Sequence, residues 1–205
     1  MSKKLLPELT KKNLQRARKI LFDVVNTFDQ CNIIYHLEGG TLLGLVRDGD
    51  LLPWDHDVDI SIPAEEMLKM DGCFRELYKK GYKVTKRRSD IDFGPIKKGS
   101  CRILKVKPLR ISILKFFHPY FRKKYIMLDI FVKTNDQKFT YWQAMRKVLK
   151  VNKRYYESYE EIEYLCKMFK VPSDYKSYLT EKYGDWSTPI ENWVAGRDEK
   201  TICSD

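Results

Sequence analysis

Three aspartates stand at alternate positions in Asp55-His-Asp-Val-Asp59, shortly after the glycine pair of Gly39-Gly40-Thr41. On an extended strand Asp55, Asp57 and Asp59 share one face, while Val58 and Ile60 take the other. Carboxylates crowded on one face repel each other and cost stability unless a cation or a donor neutralises them. Hard oxygen donors grouped in this way suit Mg²⁺ or Mn²⁺. A further carboxylate, Asp129, sits alone in the apolar run Ile126-Met-Leu-Asp-Ile-Phe-Val132. Burial without a partner is costly for such a group. A neighbouring strand bearing Asp57 and Asp59, with a metal between, would supply one.

The glycines add a second element. Between a strand and a helix, Gly39 and Gly40 would let backbone N–H groups approach a phosphate, and a helix N-terminus favours negative charge. The Thr41 hydroxyl would join them. Arg47, at the far end of the short helix, reads either as a phosphate clamp or as a surface arginine. Trp54 either stacks on a base or fills the core, and the core is the simpler expectation. His36 and His118 are isolated and read as structural. Taken singly, each motif has a plainer reading: a turn, a solvated acidic edge or calcium-type loop, a capping or salt-bridged aspartate. In this order they form a site for metal-assisted phosphoryl or nucleotidyl transfer, with Asp57, Asp59 and Asp129 as catalytic metal ligands.

The elements needed to position these residues are legible in the pattern. Leu14, Ala17, Ile20, Leu21, Val24, Val25 and Phe28 recur at helical spacing, which predicts a helix between Leu9 and Cys31. Ile33–Leu37 reads as a buried strand, Thr41–Arg47 as a short helix, and Asp57–Ile62 as a strand. A helix is expected over Glu65–Lys80, and strands over Tyr82–Arg87, Cys101–Lys107 and Tyr125–Val132. Beyond Thr140 the chain reads as helical, from Tyr141 to about Phe169 and again from Ser173 to Tyr183. The expected fold class is α+β: a nucleotidyltransferase-type mixed sheet with flanking helices. The chain reads as one domain over residues 1–205, with an N-terminal helix in 1–31 and a mainly helical portion in 140–205.

Composition narrows the alternatives. The 205 residues carry a formal net charge of +11, which attracts polyanions without naming one. No zinc-finger spacing or RNA-binding signature accompanies that charge, so nucleic acid is not the expected partner. Five dispersed cysteines with no Cys-x-x-Cys pair argue against a disulfide framework and for reduced thiols. Met1-Ser-Lys-Lys leads into an amphipathic stretch, so no secretory leader is expected and the cytoplasm is the expected compartment. The basic and aromatic segment from Arg102 to Lys124 could lie on an anionic membrane at the inner face or grip a phosphate-rich glycan. A solvated basic face is the plainer reading.

Leu37-Glu-Gly-Gly-Thr-Leu-Leu-Gly-Leu-Val-Arg47, followed by Leu52-Pro-Trp-Asp-His-Asp-Val-Asp-Ile60, resembles the signature of the LicD family. That family includes bacterial phosphocholine transferases and the animal proteins fukutin and fukutin-related protein. Tyr178-Leu-Thr-Glu-Lys-Tyr-Gly-Asp-Trp186 is similar to its closing segment. The resemblance implies a nucleotidyltransferase fold that takes a CDP-linked alcohol and transfers the alcohol phosphate to a hydroxyl of a glycan or lipid-linked glycan, releasing CMP. His56 interrupts the acidic run often found after the tryptophan. If His56 faces the Val58 side, the ligands survive, with Asp55 either a ligand or a supporting residue. Two rivals remain: a nucleotidyltransferase moving a nucleoside monophosphate from an NTP, and a non-enzymatic module that binds polyanions.

Overall fold

The computed structural model describes residues 8–10, 12–110, 125–190 and 193–203. Helix α1 (Lys12–Gln30) buries Ala17, Ile20, Leu21, Val24, Val25 and Phe28 along one stripe. It has no acidic residue in its first turn and no basic residue in its last, so burial rather than end charges holds it. Each such side chain contributes about 1.5–3 kcal/mol when fully buried, and a terminal charge less than about 1.

Strand β1 (His36–Leu37) leads directly into α2 (Gly39–Arg47). Strand β2 (Val58–Pro63), a 3-10 turn and α3 (Met70–Lys79) follow. Next come β3 (Tyr82–Arg88), β4 (Cys101–Pro108) and β5 (Leu128–Asn135). The sheet runs β1-β2-β5-β4-β3. Strands β2 and β5 are parallel, with α3, β3 and β4 supplying the long crossover that such a pair needs, and the other pairs are antiparallel.

The two faces of this sheet differ in chemistry. Val58, Ile60, Ile62, Leu104, Val106, Leu128, Ile130 and Val132 share one face and form one buried cluster with α1 and α3. Side chains on the opposite face include Asp59, Ser61, Lys105, Asp129, Phe131 and Lys133. Alternation on each strand enforces the separation.

The segment expected to be helical from Tyr141 to Phe169 is instead two hairpins. Strands β6 (Phe139–Ala144) and β7 (Lys147–Asn152) extend the sheet from β5, while β8 (Tyr159–Tyr164) and β9 (Lys167–Pro172) pair separately. Their registers close over two-residue turns, Met145-Arg146 and Leu165-Cys166, in which all four residues have positive φ. This is the hairpin geometry whose twist matches the strands, built here without glycine or asparagine. The expected helix near the C-terminus does form, as α4 (Tyr175–Tyr183), and a short α5 (Ala195–Asp198) follows. The run read as a strand over Ile33–Leu37 is strand only at His36–Leu37. Within the basic segment, Arg102–Pro108 belongs to β4; residues 111–124, and His118 with them, lie outside the described residues.

Candidate active site

Asp59 on β2 and Asp129 on β5 are register partners across the parallel pair. Asp55 and Asp57 precede β2 and reach the same place from the loop, so the strand face expected for all three holds only for Asp59. His56 lies on that loop too and lines the cavity with them, correcting the expectation that it faces away with Val58. Its backbone N–H is close to Asp55, donating to Oδ1 at 2.8 Å.

The four aspartates line a cavity of about 930 Å³. Burial pushes the Asp57 carboxyl up to about 7, helped by the charges of Asp55 and Asp129. Asp59 is raised well above the usual range by burial and then by Asp57, Asp55 and Asp129. Burial also raises Asp55. Asp129 is 6% exposed; Lys105 Nζ bonds its Oδ2, while its buried Oδ1 has no hydrogen-bond partner. Among the described residues, no three His, Cys, Asp or Glu side chains converge on one point as they stand. The donor set nevertheless fits a hard divalent cation. It consists of carboxylate oxygens that disfavour their own charge, one of them without a partner.

Gly39 and Gly40 both line the cavity, and the packing around them gives them a further part. A Cβ on Gly40 would lie 2.2 Å from Asp55 Oδ2, and one on Gly39 would lie 2.8 Å from Asp59 Oδ2. Gly39 also has φ +57°, a region open mainly to glycine. The pair therefore makes room for carboxylates against the start of α2. The Gly39 N–H is taken by Glu38 Oε1 at 3.0 Å. Thr41 is buried and outside the cavity lining; its hydroxyl accepts the Asp59 N–H at 2.8 Å, which pins β2 to α2.

Arg47 and Trp54 both line the cavity. The Arg47 guanidinium is held by Asp48 at 2.7 and 2.9 Å and lies 5.7 Å from the centre of the Trp54 ring. Trp54 is 51% exposed, so the expectation that it fills the core is wrong. Asp48 and Trp54 already engage Arg47, which leaves it better placed to brace the indole than to clamp phosphate. Tyr183, Asp185 and Trp186 also line the cavity, with Gly184 at φ +78° in the turn between them.

Sequence reasoning missed a charged cluster in the same cavity, whose lining includes Glu38, Lys182 and Glu199. Glu38 is 1% exposed and accepts hydrogen bonds from Ser61 Oγ at 3.1 Å and from Tyr178 Oη. Lys133 lies 2.5 Å from Glu38 and Lys182 lies 3.3 Å from it; Lys182 also meets Glu199 at 2.6 Å. Burial alone would raise the Glu38 carboxyl, but the two ammonium groups outweigh it and hold it well below the usual range. Burial lowers Lys133 to about 8. The same setting keeps His36 neutral, at about 3, stacked against Tyr156 and Tyr159. One signal was available: Lys133 follows Asp129 and Phe131 at period two, on the site face of a buried strand.

Over residues 32–174 the sequence matches the family described as LicD/FKTN/FKRP, nucleotidyltransferase domain. The chain belongs to that family. The LicD match contains α2, β2, β5 and the four aspartates, and ends before α4 begins. Ribitol 5-phosphate transferase FKRP of Mus musculus and of Homo sapiens are each 43% identical over 54 residues. Those residues are 26% of this chain and 11% of either relative, so the chain matches about a tenth of their length. Among solved structures, the lincosamide antibiotic adenylyltransferase LnuA, lincomycin-bound, aligns at 20% identity over 78% of this chain and 83% of that one, with a TM-score of 0.44.

Proposed function

We propose that this LicD-family chain transfers an alcohol phosphate, such as phosphocholine or ribitol phosphate, from a CDP-linked alcohol to a hydroxyl of a glycan or lipid-linked glycan. The observation that carries this reading is the in-register pair Asp59 and Asp129 at the cavity wall, joined by Asp55 and Asp57 from the loop. The FKRP relatives supply the reaction class, since their name describes ribitol 5-phosphate transfer.

In the proposed step the acceptor oxygen attacks the phosphorus that bears the alcohol. The bond to CMP breaks, CMP leaves with the electron pair, and the hydroxyl proton passes to Asp129. Asp57, Asp59 and Asp129 would hold Mg²⁺ or Mn²⁺, with Asp55 in support. Such an ion supplies charge neutralisation on the diphosphate. Trp54, braced by Arg47, would offer a flat face to the cytosine ring. The cytoplasmic side is the proposed place of work; no helix among the described residues is long and apolar enough to cross a membrane.

A nucleotidyltransferase reading draws on the same carboxylates and on the family's domain description. It differs in the phosphorus attacked and in releasing pyrophosphate from an NTP. The deciding experiment incubates the protein with Mg²⁺ and CDP-choline, CDP-ribitol, CDP-glycerol or the four NTPs, with Asp59→Asn as control. CMP from one CDP-alcohol, lost in the variant, supports transfer. Pyrophosphate from an NTP would replace that reading with the rival, and an active Asp59→Asn would remove the site assignment.

A further inference from the structure

The open face of the sheet does not end at the carboxylates. Cross-strand partners point their side chains to the same side. Asp59 pairs with Asp129, Asp129 with Lys105, and Lys105 with Thr85. The flanking rows pair Lys83 with Lys107, and Arg87 with Ile103. The face that begins acidic at β2 and β5 therefore turns basic on β4 and β3, with four cations and no carboxylate on those two strands. Lys83 and Arg87 are exposed, and Lys105 and Lys107 partly so. The opposite face of β3 is spoken for: Tyr82 is buried with α3, and Lys86 Nζ lies 5.1 Å from the Phe74 ring centre.

We infer that this basic face of β3 and β4 is the acceptor track, and that the acceptor is a glycan bearing phosphate groups along its chain. The inference rests on the transfer reading for the word acceptor and on charge complementarity for the ligand class. Lys105 is the junction, since it already bonds Asp129. A phosphate seated on Lys83 or Arg87 would hold the chain on the face that Lys105 shares with Asp129. Neutral acceptors would lack that hold.

The test is binding of inorganic polyphosphate, read by calorimetry over a range of salt, to the full chain and two double variants. Lys83→Ala with Arg87→Ala removes two cations from the track. Arg75→Ala with Lys79→Ala removes two exposed cations from α3, across the sheet, and changes net charge equally. The track variant should bind about tenfold more weakly, with a salt slope lower by about 1.4, while the α3 variant matches the parent. Equal losses in both, or a loss in neither, would overturn the track and leave only net charge. A loss seen with anionic phosphatidylglycerol vesicles but not with polyphosphate would overturn it in favour of a membrane surface. The readout needs no turnover. A chain that released no CMP even with a phosphate-bearing glycan acceptor present, but showed the difference, would sink the transfer reading and keep the anion track.

Discussion

Lys182 on α4 lies 3.3 Å from Glu38, the residue that caps α2, although more than half the chain separates them in sequence. Glu38 in turn accepts the Gly39 N–H, and its own N–H bonds the Asp59 carbonyl at 3.1 Å. The C-terminal helix is thereby tied to the turn that seats the aspartates. Lys182→Met leaves Glu38 with one ammonium partner and Glu199 with none. Removing one partner of a buried pair costs about 3–5 kcal/mol. For a chain of this size that is a fall in melting temperature on the order of 10 °C, measurable by calorimetry. An unchanged melting temperature would mean that the tie contributes nothing.

Gly40→Ala tests the room made for Asp55. The added methyl would sit 2.2 Å from a carboxylate oxygen, so Asp55 must move. CMP release should fall by about tenfold or more, since displacing a group in an active site by 1 Å can cost about a hundredfold. A circular dichroism spectrum like the parent's would show that the fold survives. Full activity would mean that Asp55 has no part in the site.

The pH dependence of stability has a defined sign at Asp57. Its carboxyl titrates at about 7 in the folded chain and near 3.8 when unfolded. Between those values the folded chain binds more protons than the unfolded one, so this group's contribution to stability falls as pH rises. His36, at about 3 folded and 6.5 unfolded, works in the opposite sense over most of the same window. The comparison must therefore be with Asp57→Asn rather than within one curve. Without divalent ions the variant should melt above the parent at pH 8, by roughly 3 °C per kcal/mol of the burial and repulsion cost relieved, and converge with it near pH 4. Mg²⁺ should raise the parent's melting temperature at pH 8 and leave the variant's nearly fixed.

Trp54→Ala separates a binding face from a core residue. Trp54 is half exposed, whereas Trp142 is 1% exposed and packed in the hydrophobic cluster. Loss of stacking should raise the KM for the CDP-alcohol by about tenfold, comparable to the about 1–3 kcal/mol reported for base–aromatic stacking. Trp142→Ala should instead cost about 3–5 kcal/mol of stability. Thermal melts and donor titrations of both variants distinguish the two cases.

Much of the fold could be read from pattern, because α1 and β5 carry long, consistent periodicities. The hairpins after Thr140 could not. Their turns use Met145-Arg146 and Leu165-Cys166, side chains that give no turn signal, so Gln143-Ala-Met-Arg146 and Tyr164-Leu-Cys-Lys167 read as helix interior. The convergence of the aspartates on one cavity was legible because Asp129 is conspicuous in an apolar strand and Asp55, Asp57 and Asp59 recur at alternate positions. Glu38 and Lys182 were not, since a charge beside glycines or on a polar helix looks solvated until its partner is known. A consequence can be checked. Replacing Leu165-Cys166 with Asn-Gly relieves two left-handed residues at about 1–2 kcal/mol each, which should raise the melting temperature by several degrees. No rise would mean that the turn is relaxed as it is.

Because Asp59 and Asp129 are paired across parallel strands, their spacing is that of the sheet itself, about 4.8 Å between neighbouring backbones. The sheet thus works as a ruler. On the proposed transfer reading, loops around the cavity could be lengthened or rewritten to admit a different alcohol or a different sugar while the two carboxylates keep their separation. That reading would anchor the chemistry to the backbone lattice and leave the choice of substrate to parts that can change without disturbing it.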